Sequence, residues 1–183
     1  MVVPPLPFPG SYWVCPGRFL AGPYPGHGVV GIEGRRLDRL LDLGIRSFVN
    51  LLERGEGRGY ARKYVDYRYR LAHLASRRGA RVEIVELPIR DGGVVSRRKM
   101  RKLLDRIDRA LAIGDGIYLH CWGGVGRTGM TVGCFLARHG IANGAAAMEA
   151  VARLRGVEAG APGAVSAESE RQRRFAAGWP RGL

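Results

Sequence analysis

The sequence predicts an α/β fold: a central, mainly parallel sheet of four or five strands flanked by helices, formed by residues 1–183 as one unit. Three observations point there. Short apolar runs of strand length alternate with longer runs whose apolar residues recur at helical spacing. A chain of 183 residues is the size of one domain with a hydrophobic core of its own. No internal repeat and no linker divides it, although 156–162 reads as a flexible stretch before the last helix.

The elements follow in order. Residues 1–31 are a Pro/Gly-rich opening segment expected to pack on the rest, and 1–9 lack the basic start and apolar core of a signal peptide. Arg35 to Leu43 reads as a helix closed by Gly44, and Ile45 to Leu52 as a strand. Tyr60, Tyr64, Tyr67, Leu71 and Leu74 form a helical stripe ending before Gly79, which makes those tyrosines core residues. Val82 to Leu87 is a strand pattern. In the helix from Arg97, residues Met100, Leu103, Leu104, Ile107 and Leu111 make the apolar face. Gly116 to His120 reads as a buried strand, Thr128 to Arg138 as an apolar helix, and 143–154 as a further helical run.

The segment from His120 to Gly129 (HCWGGVGRTG) joins that strand to that helix and carries the chemistry. Gly123, Gly124 and Gly126 let the backbone turn its amides inward, and the helix start adds unpaired N–H donors and partial positive charge. A tetrahedral dianion fits a nest built from Trp122, Gly123, Gly124, Val125, Gly126 and Arg127. The same surroundings stabilise a thiolate at Cys121; thiols so placed have pKa values of roughly 3.5 to 7.5. Arg127 offers a planar fork to two phosphate oxygens, and Thr128 a hydroxyl near the sulfur for its departure from a covalent intermediate.

These residues resemble the signature loop of the cysteine-based protein tyrosine phosphatases, and the chain as a whole resembles their small dual-specificity branch, of bacterial and archaeal type. His120, Cys121, Gly124, Arg127 and Thr128 match the pattern. The resemblance implies that family's fold and a cysteinyl-phosphate route to phosphotyrosine, and also phosphoserine or phosphothreonine, hydrolysis. It implies a general acid some thirty residues upstream, where Leu87-Pro-Ile-Arg-Asp91-Gly-Gly stands. The glycines after Asp91 mark a mobile turn on which a carboxyl can close over substrate. Relatives often carry a proline a few residues on; here the stretch runs Gly92-Gly-Val-Val-Ser96, which leaves the stiffness of the loop open. The segment from Ser166 to Phe175 resembles a helix that brings a glutamine toward the loop, giving Gln172 either a water-positioning role or a place on a charged helix face. The segment 13–25 resembles the opening strand of such enzymes, and the resemblance gives His120 loop support rather than proton transfer.

Other readings compete. Gly124 to Gly129 also satisfies a dinucleotide fingerprint, but the following helical run lacks the strand that fold requires. The net charge of +14, from thirty Lys and Arg of which only Lys63, Lys99 and Lys102 are lysine, suits anionic partners. The basic residues of the helix from Arg97 form the outer face of an amphipathic helix without interleaved aromatics, so no dedicated nucleic-acid role is expected. A phosphorylated protein is the expected partner. A phosphoinositide or inositol polyphosphate is the alternative substrate, and a non-catalytic phosphate-binding module a third reading that the full set of groups disfavours.

Cys15, Cys121 and Cys134 are odd in number and lack the paired spacing of a zinc site, so no metal or cofactor is expected and a reducing cytoplasm fits. Cys134 reads as core, and Cys15 either as buried or as a redox partner of Cys121. No run of eighteen apolar residues suggests a membrane span. Asn50 and Glu53, at a strand's C-terminal end, are candidates to border the pocket, with Glu53 the second choice for the acid. His27, His73 and His139 are isolated and read as structural or exposed. The only side-chain amides are Asn50, Asn143 and Gln172, a scarcity compatible with a thermophilic source and equally with codon bias.

Overall fold

Strand β5 (Gly116–His120) lies at the centre of the sheet with all five residues buried, because it carries apolar side chains toward both faces. It is flanked by β2 (Phe19–Gly22) and β3 (Ile45–Asn50), both parallel to it. Beyond β3 lies β4 (Glu83–Glu86), also parallel, and beyond β2 the edge strand β1 (Tyr12–Cys15), which is antiparallel. The order is β1-β2-β5-β3-β4, the mainly parallel five-stranded sheet the sequence predicts. This computed structural model describes residues 3–26, 32–57, 65–156 and 167–183. Tyr60, Tyr64, His27 and most of the expected flexible stretch at 156–162 therefore lie outside the described residues.

The helices are α1 (Ile32–Asp42), α2 (Tyr67–Arg77), α3 (Arg97–Ala112), α4 (Gly126–Arg138), α5 (Ala145–Leu154) and α6 (Glu170–Ala177). Two apolar clusters cover the two faces of the sheet. Leu37, Leu40 and Leu41 of α1 and Tyr67, Leu71 and Leu74 of α2 pack with Leu20, Phe48 and Tyr118. On the other face, Met100, Leu103, Leu104 and Ile107 of α3 join Met130, Val132 and Phe135 of α4 around Ala21, Val49 and Leu119. The stripe read in α3 is thus its buried face, each leucine or isoleucine contributing roughly 1.5–3 kcal/mol.

One expected element is shorter than its periodicity suggested. Asp66 is extended (φ −66°, ψ 101°) and caps α2 by accepting from the Arg68 N–H, so the stripe begun at Tyr60 does not run as one helix through Tyr67. A capping aspartate outcompetes helix continuation because its carboxylate satisfies an otherwise orphaned amide. Tyr67 is nevertheless core, at 1% exposure. The cap of α1 follows the sequence, with Gly44 in the left-handed region at φ +78°.

Two close approaches seat α4 and the loop before it. A Cβ on Gly133 would lie 2.7 Å from Met148 Cε and 3.1 Å from Ala176 Cβ, so this glycine lets α5 and α6 press against α4. Gly124, at φ +73°, has Gly22 backbone carbon 2.4 Å from the place its Cβ would take, which fastens the loop to the end of β2. Any other residue there would need both a disfavoured backbone and a displaced strand.

Candidate active site

The loop 121–125 leaves the C-terminal end of β5 and enters α4 without a side-chain cap; Val125 holds the N-cap position and makes no capping bond. The first helical bond of this turn runs from Gly129 N to Val125 O at 2.9 Å, so the amides of residues 126–128 have no helical acceptor. Cys121, the first residue of the loop, is 3% exposed.

Arg127 is 2% exposed and among the largest fully buried side chains. Its Nη1 donates to Glu56 Oε2 at 2.6 Å and to the Ile89 carbonyl at 3.1 Å, and its Nη2 to Glu56 Oε1 at 2.7 Å. Asp91 Oδ1 lies 3.1 Å from the same Nη2. Burial works against the charge of Arg127, but Glu56, Cys121 and Asp91 together outweigh it and raise the pKa of the guanidinium. Two atoms in this region are buried without a hydrogen-bond partner among the described residues: Arg127 Nε and Thr128 Oγ1. Buried donors of this kind are rare unless a ligand answers them.

The structure brings Asp91 to Arg127. The side chain of Asp91 is 62% exposed, whereas that of Glu56 is 14% exposed. Glu56 is the residue that sequence reasoning missed. The second-choice acid, Glu53, does not reach Arg127 among the described contacts; instead its backbone N–H donates to Glu56 Oε2 at 3.1 Å, helping to orient that carboxylate. The available signal was local: in Arg54-Gly-Glu56-Gly-Arg58, just past the end of β3, a single carboxylate stands between two glycines.

His120 is fully buried, and desolvation pushes its pKa down to about 3, with the neighbouring Arg127 acting in the same direction and the Cys121 carbonyl opposing. The imidazole is therefore neutral. Its Nδ1 lies 3.2 Å from the Cys121 carbonyl, which can only accept, so Nδ1 carries the proton and Nε2 accepts from the Tyr67 hydroxyl at 2.8 Å. Both ring nitrogens of His120 are thus engaged, one within the loop and one by Tyr67 of α2.

Gln172 is fully buried beside the loop, its Oε1 3.0 Å from where a Gly126 Cβ would be. Burial overturns the reading of a place on a charged helix face. It is not a surface residue, and both ends of its amide are engaged: Oε1 accepts from Ser169 N at 3.3 Å, and Nε2 donates to the Gly93 carbonyl at 3.1 Å. Asn50 ends β3 opposite His120 and accepts from Leu52 N, and with Glu53 it lines a cavity of about 480 Å³. Trp122 stacks on Tyr24, which lines that cavity, at 5.4 Å between ring centroids.

The thiols separate clearly. Burial raises the pKa of Cys134, which is core as read from the sequence. Cys15 pairs with Phe19, which pairs in turn with Ile117, so it sits at the far end of the sheet from Cys121. Four residues of strand, roughly 13 Å, separate those levels. A disulfide needs Cα atoms within about 7 Å, which removes Cys15 as a redox partner of Cys121. Among the described residues, no helix is long and apolar enough to cross a membrane.

Known proteins share this architecture. Over 61 residues the chain is 39% identical to a provisional tyrosine phosphatase, 067L, of Invertebrate iridescent virus 3; the match takes in 29% of this chain and spans only 24% of that protein's length. Among solved structures, PTPMT1 in complex with PI(5)P is similar with a TM-score of 0.62 at 18% identity, covering 92% of each chain. TpbA of P. aeruginosa in complex with pTyr is similar with a TM-score of 0.56 at 16% identity, covering 88% of this chain and 87% of that one. At these identities the likeness concerns the fold. The sequence pattern of the Swiss Army Knife protein DSP-PTPase phosphatase domain matches residues 10–175, nearly the whole chain that builds the sheet and the cradle, and the chain belongs to that family.

Proposed function

We propose that the chain is a cysteine-dependent phosphatase that hydrolyses phosphotyrosine, and also phosphoserine or phosphothreonine, monoesters of proteins. The observation that carries this reading is the set of unanswered donors at one place: Arg127 Nε, Thr128 Oγ1 and the amides that open α4, above a buried Cys121. A tetrahedral dianion answers all of them, and its charge is what a helix N-terminus and a guanidinium favour.

In the first step the Cys121 thiolate attacks phosphorus, the bond from phosphorus to the ester oxygen breaks, and Asp91 gives that oxygen its proton. In the second, water attacks phosphorus, Asp91 takes the water's proton, the phosphorus–sulfur bond breaks, and the thiolate returns as inorganic phosphate leaves. Thr128 donates to the departing sulfur. Arg127 and the loop amides hold the equatorial oxygens throughout, most tightly in the transition state.

The contact of Asp91 with Arg127 gives the acid a switch. Without a dianion, the carboxylate rests against the guanidinium. A bound phosphate draws on the same guanidinium and so competes with Asp91 for it, freeing the carboxyl to turn toward the leaving oxygen. The 62% exposure of Asp91 gives it room to move away from Arg127, whereas Glu56 stays.

A phosphorylated protein is favoured over an inositol polyphosphate by the adjoining cavity. Its walls include Tyr24, Tyr67 and Pro88, and three carboxylates, Glu53, Asp66 and Glu86, against two guanidiniums, Arg54 and Arg68. That balance does not suit a polyanion but accepts a ring and a peptide of mixed charge. A thiolate nucleophile also favours a reducing compartment, consistent with action in the cytoplasm.

The test is turnover of phosphotyrosine peptides, phosphoserine peptides and inositol phosphates by the purified protein and by Cys121→Ser, both dialysed against EDTA. Release of phosphate by the first protein alone, with the peptides preferred, is expected. Metal-dependent turnover, or turnover surviving Cys121→Ser, would sink the thiol mechanism.

A further inference from the structure

The turn that carries the proposed acid is held from a distance of nearly eighty residues in sequence. Asp91 and Gly92 occupy a turn closed by Gly93 N donating to the Arg90 carbonyl at 2.8 Å, with Gly92 at φ +65°. Such a turn, followed by Gly-Val-Val rather than a proline, has little stiffness of its own. Two of its carbonyls are nevertheless fixed. The Ser169 hydroxyl donates to the Gly92 carbonyl at 2.7 Å, and Gln172 Nε2 donates to the Gly93 carbonyl at 3.1 Å.

The same two side chains form the capping box of α6. Ser169 Oγ accepts from Gln172 N at 3.2 Å, and Gln172 Oε1 accepts from Ser169 N at 3.3 Å. Each polar group of the box therefore works twice, once for its own helix and once for the turn. The helix so capped is packed on α4 through Ala176, against Gly133, and Gln172 itself abuts Gly126 in the first turn of α4. The helix that carries Arg127 and the turn that carries Asp91 are thus joined through one rigid intermediary.

We infer that Ser169 and Gln172 are positioning residues of the proposed reaction: a latch that fixes the turn holding Asp91 relative to the phosphate cradle, in place of a stiffening proline. The inference rests on the phosphatase reading for its catalytic meaning, and on the two carbonyl contacts for its structural one. Donation to Gly92 and Gly93, immediately after Asp91, limits where the carboxyl can travel when it leaves Arg127 for a leaving oxygen. Among the described contacts Ser169 meets the turn and Gln172 but not the cradle, so loss of its hydroxyl bears on the proton transfers of Asp91 rather than on the thiolate.

Ser169→Gly tests the latch with little harm to the helix, since glycine replaces serine at an N-cap with only a small loss. The expected result is a fall of about 10-fold in kcat for phenyl phosphate, whose leaving oxygen needs a proton, a part of the roughly 10²–10⁴-fold that a general acid contributes. Hydrolysis of p-nitrophenyl phosphate should change less than about 2-fold, because its leaving group departs readily unprotonated. Ser169→Thr, which keeps a hydroxyl, should restore the wild-type ratio. Alkylation of Cys121 by iodoacetate should keep its rate and pH dependence, and amide exchange at residues 92–95 should quicken several-fold. An equal fall for both esters, or an unchanged ratio, overturns the inference.

If the wild-type protein hydrolyses neither ester, the phosphatase reading fails on its own. Exchange then decides the latch: unaltered protection at 92–95 in Ser169→Gly overturns it, and faster exchange upholds it as a structural tie.

Discussion

Helices α4 and α6 begin within side-chain reach of one another and treat their first amides in opposite ways. At α6 a Ser and a Gln close a reciprocal capping box, so the helix start is satisfied within the protein. At α4 the N-cap is Val125, whose side chain can accept nothing, and the amides of the first turn are left to whatever enters. A capped terminus is worth about 1 kcal/mol to the fold, and leaving that stabilisation unused makes sense where the donors serve an anion instead. The difference teaches that an apolar residue at an N-cap, followed by glycines, can be a more informative functional sign than a charged one.

The largest effect expected from this contrast comes at Arg127. If the uncapped amides sufficed, a lysine would serve; it lacks the fork that grips Glu56 and the buried Nε that has no partner among the described residues. Arg127→Lys is therefore expected to lower kcat/KM by about 10³, the order found when a transition-state donor is removed. It should also abolish most of the thermal stabilisation that vanadate gives the wild type. Retention of both would mean that the amides alone make the site.

A smaller effect concerns the strand side of the same loop. His120 has a folded pKa of about 3 against an ordinary value of 6.5. Between these values the unfolded chain binds a proton that the folded one refuses, so stability rises with pH across that window. The contribution is complete above pH 6.5, declines as pH falls, and is exhausted near pH 3. At pH 4.5 the loss from this group should be roughly 3 kcal/mol, two pKa units' worth. Thermal melts between pH 7 and 4.5 should show a shallower decline for His120→Asn than for the wild type. Parallel slopes would contradict the buried neutral imidazole.

The smallest effect tests the capped terminus that follows the stretch carrying Asp91. Ser96 caps α3 by accepting from Lys99 N at 3.3 Å. Ser96→Ala should cost about 1 kcal/mol in urea unfolding and leave the kcat ratio of the two esters unchanged. A change in that ratio would show that caps on the acid side of the site are coupled, and that α6 is not special.

What could be read from the sequence was local. The cradle spans ten consecutive residues, and turn chemistry, strand end and helix start all act within it. Asp91 was legible as an acid followed by glycines after a strand pattern. The partners that arrive through tertiary structure were not. Glu56 comes from the loop after β3 and Ser169 from beyond α5, and no periodicity links either to residue 127 or 91. The sequence places Gln172 near the loop but says nothing of its burial or of the Gly93 carbonyl it meets, because both depend on how the last helix docks. Cys15 could be separated from Cys121 only once strand register was known. Tyr60 and Tyr67 shared a spacing, and Asp66 between them carried the contrary signal of a helix cap.

The grip of Glu56 and the Ile89 carbonyl on Arg127 has a thermodynamic consequence for ligand binding. A free arginine side chain carries about 2 kcal/mol of rotamer entropy, which a ligand must ordinarily quench when it recruits the residue. Here folding has already quenched it, since three N–H groups are committed before any anion arrives. An arriving phosphate therefore meets an arginine with its freedom already spent. That preorganisation is worth up to about 30-fold in affinity at no extra contact.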